Sequence, residues 1–267
     1  MSIPSLSLEG RAAIVTGTGS RMGMGSAIAL SFAEAGADVA ICDIVNKGGG
    51  MESLVSEIKQ LGRRSLAVQT DVTKKSAVDN MVKKVIGEFG FVDILVNCAG
   101  GGPPRPAFLE MPEEHWDTLM DVNCKSCFLC SQAVSKAMIE RRKGSIISIS
   151  STLAEPRGGV SAYGAAKAAQ NRLTVGLAHD LAEYNIRVNA IAPGMVRTEL
   201  LRHVFGDNWN EPEVMKRAAE RIPLGYIAEP QDVANLALFL ASDASRCITG
   251  MIVTLDGGMS LVGRVRS

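Results

Sequence analysis

The run Ala12-Ala13-Ile14-Val15-Thr16 passes straight into Gly17-Thr18-Gly19-Ser20-Arg21-Met22-Gly23-Met24-Gly25, and a helical pattern over residues 27–35 follows. A short, continuously apolar run of this kind reads as a buried strand. Glycines directly after it allow a tight turn and let the backbone approach a bound group closely. The start of the next helix then offers free N–H groups and the positive end of its dipole, which suits a pyrophosphate. A glycine loop alone is often an ordinary turn; its place between a strand and a helix gives it meaning here.

The same alternation continues along the chain. Strand-like runs at residues 39–42, 66–68, 94–96, 145–149, 186–191 and 251–255 interleave with helical patterns at 51–60, 77–89, 116–140, 163–183 and 233–240. Strands alternating with helices imply βαβ units and a parallel sheet. Strands apolar at every position imply a sheet covered on both faces. The length of 267 residues, with no repeat, linker or low-complexity block, fits a single α/β domain spanning residues 1–267. Residues 198–224 break the rhythm with a long, polar, mixed-charge stretch after the sixth strand. Ligands of open α/β sheets bind beyond the carboxyl ends of the strands, so this insertion is the expected substrate lid.

Charge and composition exclude several classes. Lys and Arg number 28, as do Asp and Glu, so the formal net charge is zero. That balance argues against a nucleic-acid or membrane-surface partner. No apolar run is long enough to cross a bilayer. Met1-Ser2-Ile3-Pro4-Ser5-Leu6 lacks the basic and apolar blocks of a secretory signal, and the expected location is cytoplasmic. Cys124, Cys127 and Cys130 form a C-x-x-C-x-x-C run inside a helical pattern. With no fourth cysteine or proline just after it and no nearby histidine, it reads as small apolar residues on a buried face rather than cluster ligands. No metal is expected.

Two further features bear on chemistry. Asp43 stands at the end of the second strand, 18 residues after Gly25. A carboxylate there accepts hydrogen bonds from a ribose diol and repels a 2′-phosphate, which favours NAD over NADP. Arg21, in the loop, is the feature of opposite sense, since an arginine can receive a phosphate. The second feature is Tyr163-Gly164-Ala165-Ala166-Lys167: residues four apart are neighbours on a helix. A free tyrosine titrates near ~10, and a fixed ammonium beside a phenol favours the ionised form.

Taken together, these pieces resemble the short-chain dehydrogenase/reductase family over roughly residues 8–258. The likeness rests on the glycine loop, Asp71-Val72, Asn97-Cys98-Ala99-Gly100, Asn123, Ser150-Ser151, Tyr163 with Lys167, Pro193-Gly194, Thr198 and Asp256-Gly257-Gly258. The resemblance implies a single-domain, Rossmann-type, doubly wound parallel sheet with helices on both faces. It implies an NAD-dependent oxidoreductase interconverting a secondary alcohol and a ketone without metal. Tyr163 would be the acid–base, Lys167 would favour its ionisation and hold the nicotinamide ribose, Ser151 would bond the substrate oxygen, and Asn123 would support a proton-relaying water chain. Around the cofactor it would place Gly17, Ser20, Arg21, Met22, Gly23, Met24 and Gly25 of the loop, then Asp43 and Ile44. Asp71 and Val72 would contact the adenine. Asn97, Ala99 and Gly100 would line the cofactor beyond the fourth strand, and Pro193, Val196 and Thr198 would lie near its carboxamide end. The resemblance also implies a homotetramer.

The chain departs from the family pattern in three places. The glycine loop is two residues longer than the commonest form. Cys98 stands where a second asparagine is usual. The serine is ambiguous, since Ser150 and Ser151 lie 13 and 12 residues before Tyr163; Ile149-Ser150-Ser151 aligned on the family's Ile-Ser-Ser favours Ser151. Candidate substrate contacts are Ser151, Leu153, Arg157, Met195 and His203. Arg105, Arg157 and Arg202 suit an anionic group, whereas Met195, Leu200, Leu201, Val204, Phe205 and Trp209 suit an apolar one. Alternatives are an NADP-dependent 3-ketoacyl-type reductase and a non-catalytic NAD-binding regulator.

Overall fold

Alternate residues of the central strands serve two different cores. In β1 (Ala12–Thr16), Ala13 and Val15 join one buried cluster while Ala12 and Ile14 join another. In β2 (Asp38–Asp43), Val39 and Ile41 separate from Ala40 and Cys42 in the same way. Successive side chains of a strand point to opposite faces, so a strand buried on both sides must be apolar throughout. The computed structural model describes residues 6–45, 49–102, 106–155 and 162–261. It adds β3 (Ser65–Gln69), β4 (Ile94–Asn97), β5 (Gly144–Ile149), β6 (Ile186–Pro193) and β7 (Ile252–Leu255). The strands lie in the order β3-β2-β1-β4-β5-β6-β7, and every pairing is parallel.

The helices are α1 (Met24–Glu34), α2 (Gly50–Gln60), α3 (Lys75–Phe89), α4 (Glu113–Met120), α5 (Ser126–Arg141), α6 (Ala162–Leu181), α7 (Arg202–Phe205), α8 (Pro212–Ala219) and α9 (Pro230–Ala241). Ile28 and Phe32 of α1, Leu54 and Ile58 of α2, and Val233 and Leu240 of α9 cover one face of the sheet. Val78 and Met81 of α3, Val134 and Met138 of α5, and Leu181 of α6 cover the other. The result is a single-domain, doubly wound, Rossmann-type fold. The chain runs outward from β1 to β3, then returns past β1 to start β4. That reversal leaves a crevice beyond the carboxyl ends of β1 and β4, where ligands of such sheets bind.

Several boundaries differ from the sequence expectation. The helix expected at 27–35 begins at Met24, because the glycine-rich first turn carries no apolar periodicity to announce it. The helix expected at 116–140 is three pieces: α4, a π-helical turn Asp121–Lys125, and α5. Asn123 supplies the reason. Its side-chain Nδ2 donates to the Leu119 carbonyl at 3.1 Å, the acceptor that the residue's own N–H would use in an α-helix. Such π-turns are rare and frequently sit at functional sites. The stretch 198–224 holds a 3₁₀ turn Glu199–Leu201, α7 and α8. Its base is tied by a parallel bridge between Val196 and Ala228, with the Arg197 N–H donating to the Ala228 carbonyl at 2.8 Å.

Candidate active site

The glycine loop is shaped by close approach. A Cβ on Gly25, in the first turn of α1, would stand 2.2 Å from the Gly17 carbonyl oxygen. Gly17 itself has φ +76°, and a Cβ there would stand 2.7 Å from the Ala99 nitrogen. Across the crevice, Thr16 Oγ1 accepts from the N–H groups of Cys98 and Ala99 at 3.1 and 3.0 Å and donates to the Val96 carbonyl at 3.3 Å. These contacts lock the ends of β1 and β4 together. Ser26 Oγ holds the loop from below by donating to the Ser20 carbonyl at 2.8 Å. The N-terminus of α1 starts at Gly23 with no side-chain cap and no acidic residue in its first turn. The positive dipole end of the helix is therefore uncompensated by a side chain beside the crevice, which Gly23 and Met24 line, while the Gly25 N–H is taken by the Cys98 thiol.

The crevice has a volume of about 690 Å³. Gly17, Ser20, Gly23 and Met24 line it from the loop, and Asp43 and Ile44 from the end of β2. Thr70, Asp71, Val72, Thr73 and Lys74 line it beyond β3, and Cys98, Ala99 and Gly100 beyond β4. Thr118, Asp121 and Val122 close one side, and Thr198, Glu199, Leu200 and His203 the other. An uncapped helix N-terminus, a glycine cradle that a Cβ would fill, and a carboxylate at the end of β2 fit a dinucleotide of the nicotinamide type. Lys74, Thr118, Asp121 and Glu199 were not anticipated from the sequence. The only sequence signal was adjacency, since Asp121 lies two residues before Asn123 and Glu199 follows Thr198.

Charge is distributed unevenly. Asp43 Oδ2 accepts from the Gly19 N–H at 2.8 Å and Oδ1 from the Val45 N–H at 3.0 Å. Asp71 accepts from the hydroxyl and N–H of Thr73 at 2.6 and 2.9 Å. Those bonds hold its carboxyl below the usual carboxylate range. Two carboxylates thus stand at the β2–β3 end of the crevice. Arg21 does not counter them, because its guanidinium is ion-paired with Glu57 of α2.

Lys167 is buried; its Nζ donates to the Ile149 carbonyl at 2.7 Å and to Gln170 Oε1 at 3.1 Å, and lies 5.7 Å from the centroid of the Tyr163 ring. The end of β4 is moulded around this pair. A Cβ on Gly100 would meet Asn123 Oδ1 at 2.7 Å and Lys167 Nζ at 3.4 Å, and one on Gly102 would meet the Tyr163 ring at 3.4 Å. Asn123 is fully buried; it donates to the Gly101 carbonyl at 2.9 Å and accepts from the Gly101 N–H at 3.1 Å. Ser150 Oγ is committed to Asn171 Oδ1 at 2.6 Å. Among the described residues Ser151 Oγ accepts the Leu153 N–H, at 3.2 Å, and donates to no acceptor.

Of the other expected positions, several stand away from the crevice. Asn97 is turned away from the crevice, its Nδ2 donating to Ser131 at 3.2 Å and Ser148 at 3.4 Å; strand alternation sends it to the α5 side. Arg21 faces α2, and Met22 is exposed. Gly25 packs beneath the loop rather than lining the crevice. Pro193 closes β6 in register with Leu255. Val196 and Thr198 are buried where the 198–224 stretch begins, Met195 is half-buried, and Leu153 is exposed. His203 is exposed and lines the crevice beside Leu200. Arg105 and Arg157 lie outside the described residues, and Arg202 pairs with Asp207. Among the described residues no group of three or more His, Cys, Asp or Glu is disposed to hold a metal ion, and no helix is long and apolar enough to cross a membrane.

Burial pushes the Cys98 and Cys42 thiols up to about 12, against a partial pull from Lys167 on Cys98 and a hydrogen bond from Thr70 on Cys42. Thiolate is the reactive form. Iodoacetamide at pH 8 should therefore alkylate the exposed Cys247 first and spare Cys42 and Cys98 until the protein is denatured, as read by peptide mass mapping. Early labelling of Cys98 would contradict this.

The doubly wound sheet and its glycine-lined crevice are those of a nucleotide-binding class of proteins, and comparison with known proteins narrows that class. Residues 17–260 match the family model described as Enoyl-(Acyl carrier protein) reductase. The chain is 38% identical over 255 residues to the 7alpha-hydroxysteroid dehydrogenase of Escherichia coli (strain K12), covering 95% of this chain and 96% of that one. It is also 38% identical over 255 residues to the 3-oxoacyl-(acyl-carrier-protein) reductase FabG of Thermotoga maritima, covering 94% and 98%. A solved structure of 7 alpha-hydroxysteroid dehydrogenase complexed with NADH and 7-oxo glycochenodeoxycholic acid superposes with a TM-score of 0.86 at 38% identity, covering 95% of each chain. The chain belongs to the short-chain dehydrogenase/reductase family of oxidoreductases.

Proposed function

We propose that this protein is an NAD-dependent dehydrogenase interconverting a secondary alcohol and a ketone, with Tyr163, Lys167, Ser151 and Asn123 as its working residues. The observation that carries the reading is the buried Lys167 ammonium beside the Tyr163 ring, against the glycine-shaped edge of the crevice. The dinucleotide supplies the hydride acceptor or donor. Tyr163 takes the substrate hydroxyl proton in oxidation and returns it in reduction. Ser151 Oγ donates to the substrate oxygen as charge develops on it. The Lys167 ammonium stabilises negative charge arising on the phenol oxygen. Asn123 fixes Gly101, and with it the wall beside Tyr163 and Lys167; its expected part in a water relay remains part of this proposal.

Asp43 and Asp71, with Arg21 drawn off to Glu57, support NAD as the cofactor, because a 2′-phosphate would meet carboxylates without a counter-charge from Arg21. The NADH complex of the 38% identical relative supports the same choice. Gly17, Ser20, Gly23, Met24, Ile44, Val72, Ala99 and Gly100 would line the bound dinucleotide, with Thr198 at its carboxamide end. Residues 198–224 would cover the substrate beside Met195, Leu200 and His203. The exposed Phe128 of α5 and Val175 of α6 support self-association, and a homotetramer is part of the proposal.

Rates with NAD and NADP on hydroxysteroids, 3-hydroxyacyl thioesters and cyclic secondary alcohols test the reading. NAD should be preferred in kcat/KM by about tenfold or more, equivalent to about 1.4 kcal/mol. Asp43→Ser should lower that NAD:NADP ratio by about tenfold. A ratio unmoved by the substitution would remove the Asp43 argument. A strong NADP preference with ketoacyl thioesters would replace the reading with a 3-ketoacyl-type reductase.

A further inference from the structure

Lys167 is only 3% exposed, yet no carboxylate pairs with it among the described residues. A buried, unpaired ammonium is costly unless oriented dipoles take its protons. The Ile149 carbonyl takes one at 2.7 Å, and Gln170 Oε1 takes a second at 3.1 Å. Gln170 lies one turn further along α6, is 1% exposed, and was not singled out from the sequence. Its Nε2 donates to Cys127 Sγ at 2.8 Å, and that thiol in turn donates to the Asn123 carbonyl at 3.5 Å.

The chemistry fixes the sense of this chain. An ammonium only donates, so the amide oxygen must face Lys167 and the amide nitrogen must face away. There it meets a sulfur, a weak acceptor. Burial keeps the Cys127 thiol protonated by raising its pKa, so the S–H remains a donor to the π-turn. One residue of the cysteine run thus connects the buried amide to the backbone of Asn123, while among the described residues the third Lys167 proton meets no acceptor. The other titratable groups facing Lys167 are Tyr163 on α6, Cys98 beyond β4 and Cys124 in the π-turn. Burial raises both of those thiols too, so among the described residues the ionised Tyr163 is the anion with which Gln170 shares the ammonium.

We propose that Gln170 is a positioning residue that orients the Lys167 ammonium toward the crevice, and that Cys127 holds the Gln170 amide in the required sense. The inference rests on the proposed Tyr163–Lys167 acid–base pair. The test needs no substrate. In protein saturated with NAD, the ionisation of Tyr163 is followed as phenolate absorbance, taken as the difference between each variant and the same variant carrying Tyr163→Phe. Gln170→Met keeps the volume and removes the acceptor oxygen. It should move the titration upward by about half to one pH unit, a three- to tenfold fall in the ionisation constant. Cys127→Val should give a smaller shift in the same sense. Cys127→Ser, whose hydroxyl both accepts and donates, should restore the parental curve.

A Gln170→Met curve coincident with the parent overturns the proposal. So does a Cys127→Ser curve displaced as far as that of Cys127→Val, since packing alone would then explain both. If Gln170→Met fails to fold, the Cys127 pair decides. Turnover of Tyr163→Phe on the alcohol panel is read separately, so loss of the acid–base assignment is distinguishable from loss of the Gln170 role.

Discussion

Tyr163→Phe should lower turnover by about 10³-fold or more while leaving the NADH dissociation constant within about threefold of the parent. The substitution removes a single oxygen from a half-buried ring and leaves Lys167 with both of its present acceptors, the Ile149 carbonyl and the Gln170 amide. General acid–base catalysis by one positioned group contributes about 10²- to 10⁴-fold, and no other proton-transfer group of the described site is placed to replace it. In the proposed reading the dinucleotide is held chiefly by the glycine loop and the crevice beyond β1 and β4, which the ring does not line. Steady-state rates and NADH fluorescence titration separate the two effects. Substantial residual activity in this variant would refute the assigned base, and with it the reaction proposed above.

Gly25→Ala should damage both stability and cofactor affinity. Alanine is usually favoured over glycine inside a helix by about 1 kcal/mol, so a gain would be the ordinary expectation. Here the added Cβ would stand 2.2 Å from the Gly17 carbonyl oxygen. That neighbour is backbone, itself held by its N–H donating to the Cys42 carbonyl at 2.8 Å, and it cannot swing aside as a side chain would. Forcing an atom into such a site costs about 1–3 kcal/mol, which in a domain of this size lowers the melting temperature by about 2–10 °C. The displaced loop would also misalign the N–H groups at the start of α1, weakening NADH binding by about 100-fold, or about 2.7 kcal/mol. Thermal melts and fluorescence titration check both. A melting temperature at or above the parent's would show that the loop yields more readily than its geometry suggests.

Much of this architecture is legible in the amino-acid sequence. The strands announced themselves because a sheet covered on both faces leaves no polar position to interrupt the run, as in Ala12 to Thr16. The dinucleotide loop was visible because its glycines are demanded by backbone distances within a few residues of chain. Asp43 was found from its place at the end of β2. The Tyr163–Lys167 pair was found because helical pitch alone makes residues four apart adjacent. Harder to read was the π-turn around Asn123. Apolar periodicity passes through it undisturbed, while its cause is a side-chain bond to Leu119 and a clasp on Gly101.

The same division runs through the site. Local geometry, in which backbone spacing and apolar period act over less than two turns of chain, was enough to specify the strand–loop–helix entry, the parallel sheet and the Tyr–Lys pair. Which way a polar side chain turns was decided only by folding, because its partners come from distant parts of the chain. Arg21 is drawn to Glu57, Asn97 to Ser131 and Ser148, Ser150 to Asn171, and Gln170 to Cys127. Most buried donors find an acceptor wherever the fold supplies one, the exposed Arg21 takes the carboxylate that the fold sets beside it, and no local pattern records where either partner will be.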